Sequence, residues 1–130
     1  MTDQLILIIE DNERNLKLVR DVLQFNGFRT AEARTAEDGL VLANSRPPDL
    51  VLLDLQLPGI DGMEAFRQLR ESPPTADIPI VAITAFAMKD DRERVLRAGF
   101  NGYLEKPISV RELPGQVRAF LTTGEPHDDR

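Results

Sequence analysis

Carboxylate side chains follow two apolar segments of this chain, at positions where a β-strand would end. Glu10 and Asp11 come directly after the run Leu5–Ile9, and Asp54 comes directly after the run Leu50–Leu53. Short, continuous apolar runs of this kind are typical of strands buried on both faces of a parallel sheet. A carboxylate at the carboxyl end of such a strand lies where open α/β sheets place their chemistry.

Two further reactive side chains, Thr84 and Lys106, close later predicted strands. The carboxyl ends of the strands in a doubly wound sheet converge at one edge, so we expect both groups to meet Glu10, Asp11 and Asp54 there. The three acids repel one another unless they are protonated or neutralised by a cation, and Lys106 supplies only one positive charge. An all-oxygen cluster of this kind favours Mg²⁺ over zinc or copper.

Each acidic position also has a simpler interpretation. Glu10 and Asp11 could cap the following helix and supply the acids of its first turn, a role that is compatible with metal binding. Asp54 could merely cap its strand and hydrogen-bond the Pro58–Gly59 turn. The number of reactive groups at predicted strand ends favours the chemical interpretation of Asp54.

Apolar runs and helical periodicity alternate along the chain and predict an α/β fold. The predicted strands are Leu5–Ile9, Phe28–Ala33 (at a sheet edge), Leu50–Leu53, Ile78–Ile83 and Gly102–Lys106. Helices are predicted around Leu16–Phe25 with a stop at Gly27, from Thr35 to about Asn44, after Gly62, over Lys89–Ala98, and around Val110, Leu113, Val117, Phe120 and Leu121. This order predicts a doubly wound (βα)₅ domain with a five-stranded parallel sheet and right-handed crossovers. We expect the domain to span residues 1–121 and residues 122–130 to form a flexible tail.

The composition of the chain limits its possible functions. With 16 basic and 22 acidic residues, the formal net charge is −6 and no basic cluster occurs, which argues against direct binding of nucleic acid or an anionic membrane. There is no cysteine, and the single histidine, His127, lies in the predicted tail, so thiol, zinc and serine–histidine mechanisms are not expected. The amino terminus lacks a basic signal region and no apolar run approaches spanning length, so we expect a soluble cytoplasmic protein.

The reactive positions, in this order and at these intervals, resemble the receiver domain of two-component response regulators. Asp54 follows Asp11 by 43 positions, Thr84 follows Asp54 by 30, and Lys106 follows Thr84 by 22. The resemblance covers roughly Leu5–Leu121 and implies the flavodoxin-like arrangement of the chemotaxis regulator. Two segments further resemble stand-alone receivers of the division-control (DivK-like) type, namely Ile9-Glu10-Asp11-Asn12 and Tyr103-Leu104-Glu105-Lys106-Pro107-Ile108.

The resemblance implies that Asp54 is the phosphoacceptor, whose carboxylate attacks a phosphohistidine on a partner or a small acyl phosphate. It also implies that Asp11 and Asp54 bind Mg²⁺, that Glu10 acts through a water molecule, and that the backbone carbonyl of Gln56 completes the protein ligands. Glu10 replaces the aspartate that is commonest at this position of the family.

The same resemblance assigns roles on the last two strands. Lys106 would pair with one phosphoryl oxygen, and Thr84 would donate its hydroxyl to another. The Lys106–Pro107 peptide bond is expected to be cis. As Thr84 moves inward, Tyr103 would swing from an exposed to a buried position; the alternative is a tyrosine packed permanently against the fifth helix.

The partners implied by the resemblance are proteins. The chain would act as a stand-alone receiver of a phosphorelay, because no output domain follows Leu121, and its donor would be a histidine kinase or a histidine phosphotransfer protein. The first helix would dock the kinase through Asn15 and Leu16, whereas Val19 and Leu23 are interpreted as core. A downstream protein would bind the face formed by the fourth helix, fifth strand and fifth helix. We expect a monomer that is not an enzyme, beyond assisting its own phosphoryl transfer and dephosphorylation.

Three other functions compete with this one. A phosphatase of the haloacid dehalogenase class also uses a strand-end aspartate with Mg²⁺, but it needs a second acid two residues later, where this chain has Gln56. A flavodoxin-like FMN binder needs a first loop that accepts phosphate, whereas Glu10-Asp11-Asn12-Glu13 would repel one, and neither G-x-G-x-x-G nor G-x-x-x-x-G-K-[ST] occurs. A receiver that serves as an interaction module without phosphorylation stays open.

Overall fold

A single parallel sheet organises the computed structural model, which describes residues 4–57, 59–85 and 89–123. The strands found in these ranges are β1 (Leu5–Ile9), β2 (Arg29–Ala33), β3 (Leu50–Asp54), β4 (Ile80–Thr84) and β5 (Gly102–Glu105). They pair in the spatial order β2-β1-β3-β4-β5, and every pair is parallel. The predicted α/β fold class, the parallel five-stranded sheet and the edge position of β2 are therefore confirmed.

Helices connect the strands and cover both faces of the sheet. They are α1 (Glu13–Phe25), α2 (Ala36–Ser45), α3 (Gly62–Glu71), α4 (Lys89–Ala98) and α5 (Leu113–Thr123), and a short 3₁₀ helix (Pro73–Thr75) precedes β4. The spatial order of the strands reverses between β1 and β3, which makes the carboxyl ends of these two strands the expected location of a site.

Two apolar layers hold the helices against the sheet. In β1, Leu7 and Ile9 belong to the layer on one face, and Ile6 and Ile8 belong to the layer on the other. All five residues of β1 are buried, as are those of β3 and β4, because side chains alternate between two covered faces. In α1, the core interpretation of Val19 and Leu23 is confirmed, and Leu16 is buried beside them.

Short polar side chains begin three of the helices. Asn12 caps α1 by accepting a hydrogen bond from the backbone N–H of Asn15 at 3.0 Å. Thr35 caps α2 through the N–H of Asp38 at 3.0 Å, as predicted, and Asp61 caps α3. The alternative interpretation of Glu10 and Asp11 as cap and first-turn acids is wrong, since the helix begins only after Asn12 and these acids precede the cap.

Several predicted bounds differ from those in the structure. β4 begins at Ile80, since Pro79 has no N–H to donate to a ladder and stays outside the strand. Val110 was predicted on the apolar face of the last helix, but it precedes α5 and is 51% exposed. Pro114 lies in the first turn of α5, where its missing N–H costs no helical hydrogen bond, and the helix continues to Thr123. Residues 124–130 of the predicted tail, including His127, lie outside the described residues.

Over the described part of the chain, no helix combines the length and apolar character needed to cross a bilayer.

At the amino end of β5, the buried carboxamide of Asn101 joins three parts of the fold. Its Oδ1 accepts hydrogen bonds from the N–H of Ile80 and from Nη2 of Arg70, both at 2.9 Å. Arg70 also donates to the carbonyl of Ile78 at 2.7 Å. Asn101 therefore ties α3, the entry to β4 and the entry to β5 together.

We expect Asn101→Ala to lower the free energy of unfolding by about 2–3 kcal/mol, because it leaves the buried N–H of Ile80 without its acceptor. Urea denaturation of the two proteins measures the change. Asn44→Ala is the control, since Asn44 is exposed and its carboxamide donates to the carbonyl of Leu40 within α2, and its effect should stay below about 0.5 kcal/mol. Equal effects of the two substitutions would contradict the assigned role of Asn101.

An acidic site at the carboxyl edge of the sheet

Three carboxylates meet where β1 and β3 end side by side. Ile9 pairs with Leu53 in the parallel register, so Glu10 and Asp54 continue the two strands next to each other. Ligand oxygens of Glu10, Asp11 and Asp54 all lie within 4.8 Å of one another. Glu10 is 2% exposed and Asp54 is 1% exposed. The predicted convergence of these acids is therefore observed.

Lys106 brings a single positive charge to this cluster. Its Nζ lies 3.0 Å from Oδ2 of Asp54 and 3.6 Å from Oε1 of Glu10. The backbone N–H of Lys106 donates to the carbonyl of Thr84 at 2.9 Å, which extends the β4–β5 ladder by one residue and holds the lysine at the same edge. The Lys106–Pro107 peptide bond is cis.

Backbone donors fix the orientation of both buried acids. The N–H of Gln56 donates to Oδ1 of Asp54 at 2.9 Å, and the N–H of Asn12 donates to Oε2 of Glu10 at 3.1 Å. Each carboxylate thus has one oxygen bonded to the backbone and the other directed towards Lys106. This arrangement keeps Oδ2 of Asp54 next to the cluster. The simpler interpretation was that Asp54 hydrogen-bonds the Pro58–Gly59 turn, and Pro58 lies outside the described residues.

The electrostatics of the cluster favour a hard cation. Burial raises the pKa of Glu10 to about 7, and the hydrogen bond with Asp54 and the negative charge of Asp54 add to this rise. Three acids and one lysine leave excess negative charge when all are ionised, and a divalent cation would relieve it. Because the donors are exclusively carboxylate oxygens, the residues present fit Mg²⁺.

Thr84 ends β4 at the same edge and is 4% exposed. It lies one residue beyond Ile83, which pairs with Asp54 across the β3–β4 ladder. Thr84 also borders a cleft of about 280 Å³, whose other lining residues are Leu55, Gln56, Asp61, Met63, Asp91, Arg94 and Val95. Asp54, Thr84 and Lys106 are thus brought to one edge by three adjacent strands.

Tyr103 lies on the same face of the sheet as Thr84. Thr84 pairs with Glu105 and Ala82 pairs with Tyr103, and residues two apart on a strand share a face. The ring is half-buried, and its hydroxyl accepts a hydrogen bond from Nη1 of Arg92 in α4 at 2.9 Å. The tyrosine is therefore bonded to α4, and both its movement and the alternative of permanent packing against α5 stay predictions.

Comparison with known proteins identifies the architecture. The family model of the response regulator receiver domain matches residues 6–118. This chain belongs to the receiver domain family. Two relatives, each named polar-differentiation response regulator DivK, come from Brucella abortus (strain 2308) and Brucella suis biovar 1 (strain 1330). Each is 40% identical over 116 residues, which cover 89% of this chain and 94% of the relative.

Solved structures agree with this assignment. The receiver domain of the sensor histidine kinase PA1611 from Pseudomonas aeruginosa PAO1 is 33% identical, with a TM-score of 0.85 over 93% of this chain and 99% of that one. That crystal structure has a magnesium ion coordinated in its active site cleft. A CheY-like receiver domain protein from Methanospirillum hungatei JF-1 is 26% identical, with a TM-score of 0.85 over 95% of this chain and 97% of that one.

The receiver site also contains contacts that sequence reasoning missed. Nη2 of Arg34 donates to the backbone carbonyl of Asp11 at 3.4 Å, and Oε1 of Gln56 accepts from the N–H of Ala85 at 2.9 Å. Arg34 directly follows β2, so its position at the same sheet edge could have been inferred. The reach of the Gln56 side chain could not, because it depends on how the loop after β3 folds back towards β4.

Proposed function

We propose that this receiver domain accepts a phosphoryl group on Asp54 from a histidine kinase or a histidine phosphotransfer protein. The observation that carries the proposal is the placement of a nearly inaccessible carboxylate between two further acids and a lysine that lies 3.0 Å away. A purely structural aspartate would need only its lysine. The additional acids raise the energy of the site unless a cation is bound, and this is a cost that catalysis would justify.

Glu10, Asp11, Asp54 and the backbone carbonyl of Gln56 would hold Mg²⁺. When bound, Mg²⁺ neutralises negative charge on the acids and on the transferring phosphoryl group. Asn12 and Gln56 support this role through their backbone N–H groups, because each holds one carboxylate in place. Glu10 is 2% exposed. Its side chain is longer than that of aspartate, and the backbone N–H of Asn12 holds its carboxylate by a hydrogen bond.

In the transfer step, Oδ2 of Asp54 attacks phosphorus and the bond from phosphorus to the donor breaks. With a phosphohistidine, the imidazole nitrogen keeps the bonding electron pair and takes a proton from solvent; with an acyl phosphate, a carboxylate leaves. Lys106 already lies against this oxygen and would follow the charge onto a phosphoryl oxygen. Thr84 would donate its hydroxyl to a second one.

The transferred group would then change the surface of the domain. Phosphorylation adds nearly two negative charges beside Thr84, and movement of Thr84 towards them would vacate space on the face that it shares with Tyr103. The surface formed by α4, β5 and α5 would bind a downstream protein. An apolar groove of about 300 Å³ on this surface supports the assignment; it is lined by Leu96, Asn101, Gly102, Tyr103, Gln116, Ala119 and Phe120. Phosphate can act as a switch here only if it binds one of the two conformations more tightly.

Tyr103 offers a direct measurement of this switch, because it is the only tyrosine and the chain has no tryptophan. We expect beryllofluoride with Mg²⁺, which mimics the phosphoryl group, to reduce the quenching of tyrosine fluorescence by acrylamide as the ring becomes more buried. Asp54→Asn is the control and should abolish the change. Unaltered quenching at saturating beryllofluoride would contradict movement of Tyr103.

The test of the proposed function is a chemical one. Incubation with acetyl phosphate and Mg²⁺ should add one phosphoryl group by intact mass, and EDTA should prevent the addition. Borohydride reduction followed by peptide mapping should then find the modified residue at position 54. Absence of an adduct with acetyl phosphate and with phosphoramidate would overturn the proposal and favour an interaction module that is not phosphorylated.

A further inference from the structure

The side chain of Gln56 occupies a backbone donor that faces the phosphoryl site. The backbone groups of successive β4 residues point alternately to the two neighbouring strands. The carbonyl of Ile83 accepts from the N–H of Leu55 after β3, and the carbonyl of Thr84 accepts from the N–H of Lys106 after β5. The N–H of Ala85 therefore turns back towards β3. There it meets Oε1 of Gln56 at 2.9 Å instead of a strand carbonyl.

Gln56 is bonded on both sides of Asp54. Its backbone N–H holds Oδ1 of Asp54 at 2.9 Å, while its carboxamide reaches across to Ala85 on the neighbouring strand. Ile83 pairs with Asp54, so Ala85 extends β4 two residues beyond that pairing, over the carboxyl end of Asp54. Both Gln56 and Ala85 are exposed, so the carboxamide has space to move away from the Ala85 N–H.

The oxygens of a phosphoryl group on Asp54 would need donors. Lys106 and Thr84 supply two, and the N–H of Ala85 is a third donor that the strand fixes in place. A hydrogen bond from this N–H to a charged phosphoryl oxygen is stronger than the bond to a neutral carboxamide, so the phosphoryl oxygen would displace Gln56. The displacement still costs the existing hydrogen bond.

We propose that the carboxamide of Gln56 acts as an internal latch that occupies the Ala85 N–H in the unphosphorylated protein and competes with the phosphoryl group for it. The inference rests on the proposed function of Asp54. It makes Gln56 a positioning residue, which lowers the affinity of the site for a phosphoryl anion and ties the loop after β3 to the loop after β4 until phosphate arrives.

Two substitutions separate the latch from a merely structural role. Gln56→Met keeps the length of the side chain and removes the acceptor. It should lower the Kd for beryllofluoride about threefold to tenfold at saturating Mg²⁺. Gln56→Glu keeps an acceptor but places a negative charge beside the incoming anion, so it should raise the Kd for beryllofluoride by about tenfold or more. A structural role would weaken binding in both variants.

The matched control is Gln68→Met on α3, where the carboxamide of Gln68 donates to Glu64, and the Kd of this variant for beryllofluoride should equal that of the wild type. In NMR spectra of the wild type, the Ala85 amide resonance should shift when beryllofluoride binds. In ligand-free Gln56→Met, the chemical shift of this amide should already differ from that of the ligand-free wild type.

The outcomes of this titration are distinguishable. If the wild type fails to bind beryllofluoride with Mg²⁺, the proposed function of Asp54 fails. If the wild type binds and Gln56→Met binds equally or more weakly, the latch is overturned and the proposed function stands. Tightening in Gln56→Met together with weakening in Gln56→Glu supports the latch.

Discussion

Asp54→Asn should abolish the phosphoryl adduct that forms with acetyl phosphate and Mg²⁺. The carboxamide is a poor nucleophile and a weaker ligand for a hard cation, so both the attacking oxygen and part of the metal site are lost. The expected change is from one phosphoryl group per chain to none, measured by intact mass at a series of incubation times.

Asp61→Asn is a suitable control for that experiment. Asp61 borders the same cleft as Thr84 and caps α3 by accepting from the N–H of Glu64 at 2.9 Å, a role that asparagine fills equally well. The control should keep its full adduct. Thermal melting shows that both variants are folded, and an adduct retained in folded Asp54→Asn would show that another residue is the acceptor.

Gly62→Ala should destabilise the protein by about 1–3 kcal/mol, although alanine normally favours a helix over glycine. Gly62 begins α3 directly against the loop that follows Asp54. A Cβ there would lie 2.5 Å from the Cα of Leu55 and 3.0 Å from the carbonyl oxygen of Asp54. Because these are backbone atoms, relief requires α3 or the end of β3 to move, and we expect slower phosphoryl transfer as well.

Gly115→Ala is the matched control for this substitution. An added Cβ at Gly115 meets no heavy atom within 4 Å, so the change should stabilise α5 by up to about 1 kcal/mol. Guanidinium denaturation measures both free energies of unfolding. If Gly62→Ala proves as stable as the wild type, the close approach of α3 to the end of β3 is not a constraint.

The sequence was most informative where burial alone decides structure. β1 has the bounds Leu5–Ile9 that its apolar run predicts, and β3 extends its run by only one residue, to Asp54. Both strands are central and covered on two faces, so their apolar runs are continuous and unambiguous. α4 also has the predicted bounds Lys89–Ala98; among its apolar residues, Val95 is buried, whereas Leu96 is 44% exposed.

Local competition between polar groups was harder to predict. In the sequence, the helical period of α5 includes Val110. In the structure, the hydroxyl of Ser109 accepts a hydrogen bond from the N–H of Glu112 and its carbonyl accepts one from the N–H of Leu113, so a separate turn precedes the helix. Similarly, the choice of Asn12 as the cap of α1, rather than Asp11, depends on where the chain leaves the sheet. Hydrophobic periodicity contains no information on either point.

Contacts between strand ends were easier to predict than contacts made by the side chains of helices. The types and intervals of Glu10, Asp11, Asp54 and Lys106 were sufficient to predict that they meet, since the topology of a parallel sheet brings strand ends together. The hydrogen bond from Arg92 to Tyr103 depends on the rotation of α4 about its axis, and periodicity does not determine that rotation when a helix is charged on nearly every side.

The site is assembled from the ends of four separate strands, so it depends on completed folding of the sheet. Its acids are synthesised early and its lysine late, and the sheet between them must be paired in full before the groups come within a few ångströms of one another. Contacts between residues so far apart in sequence are expected to form late in folding. Under the proposed function, a nascent or cleaved chain with an incompletely paired sheet would therefore not be phosphorylated, and phosphorylation would require the whole folded domain.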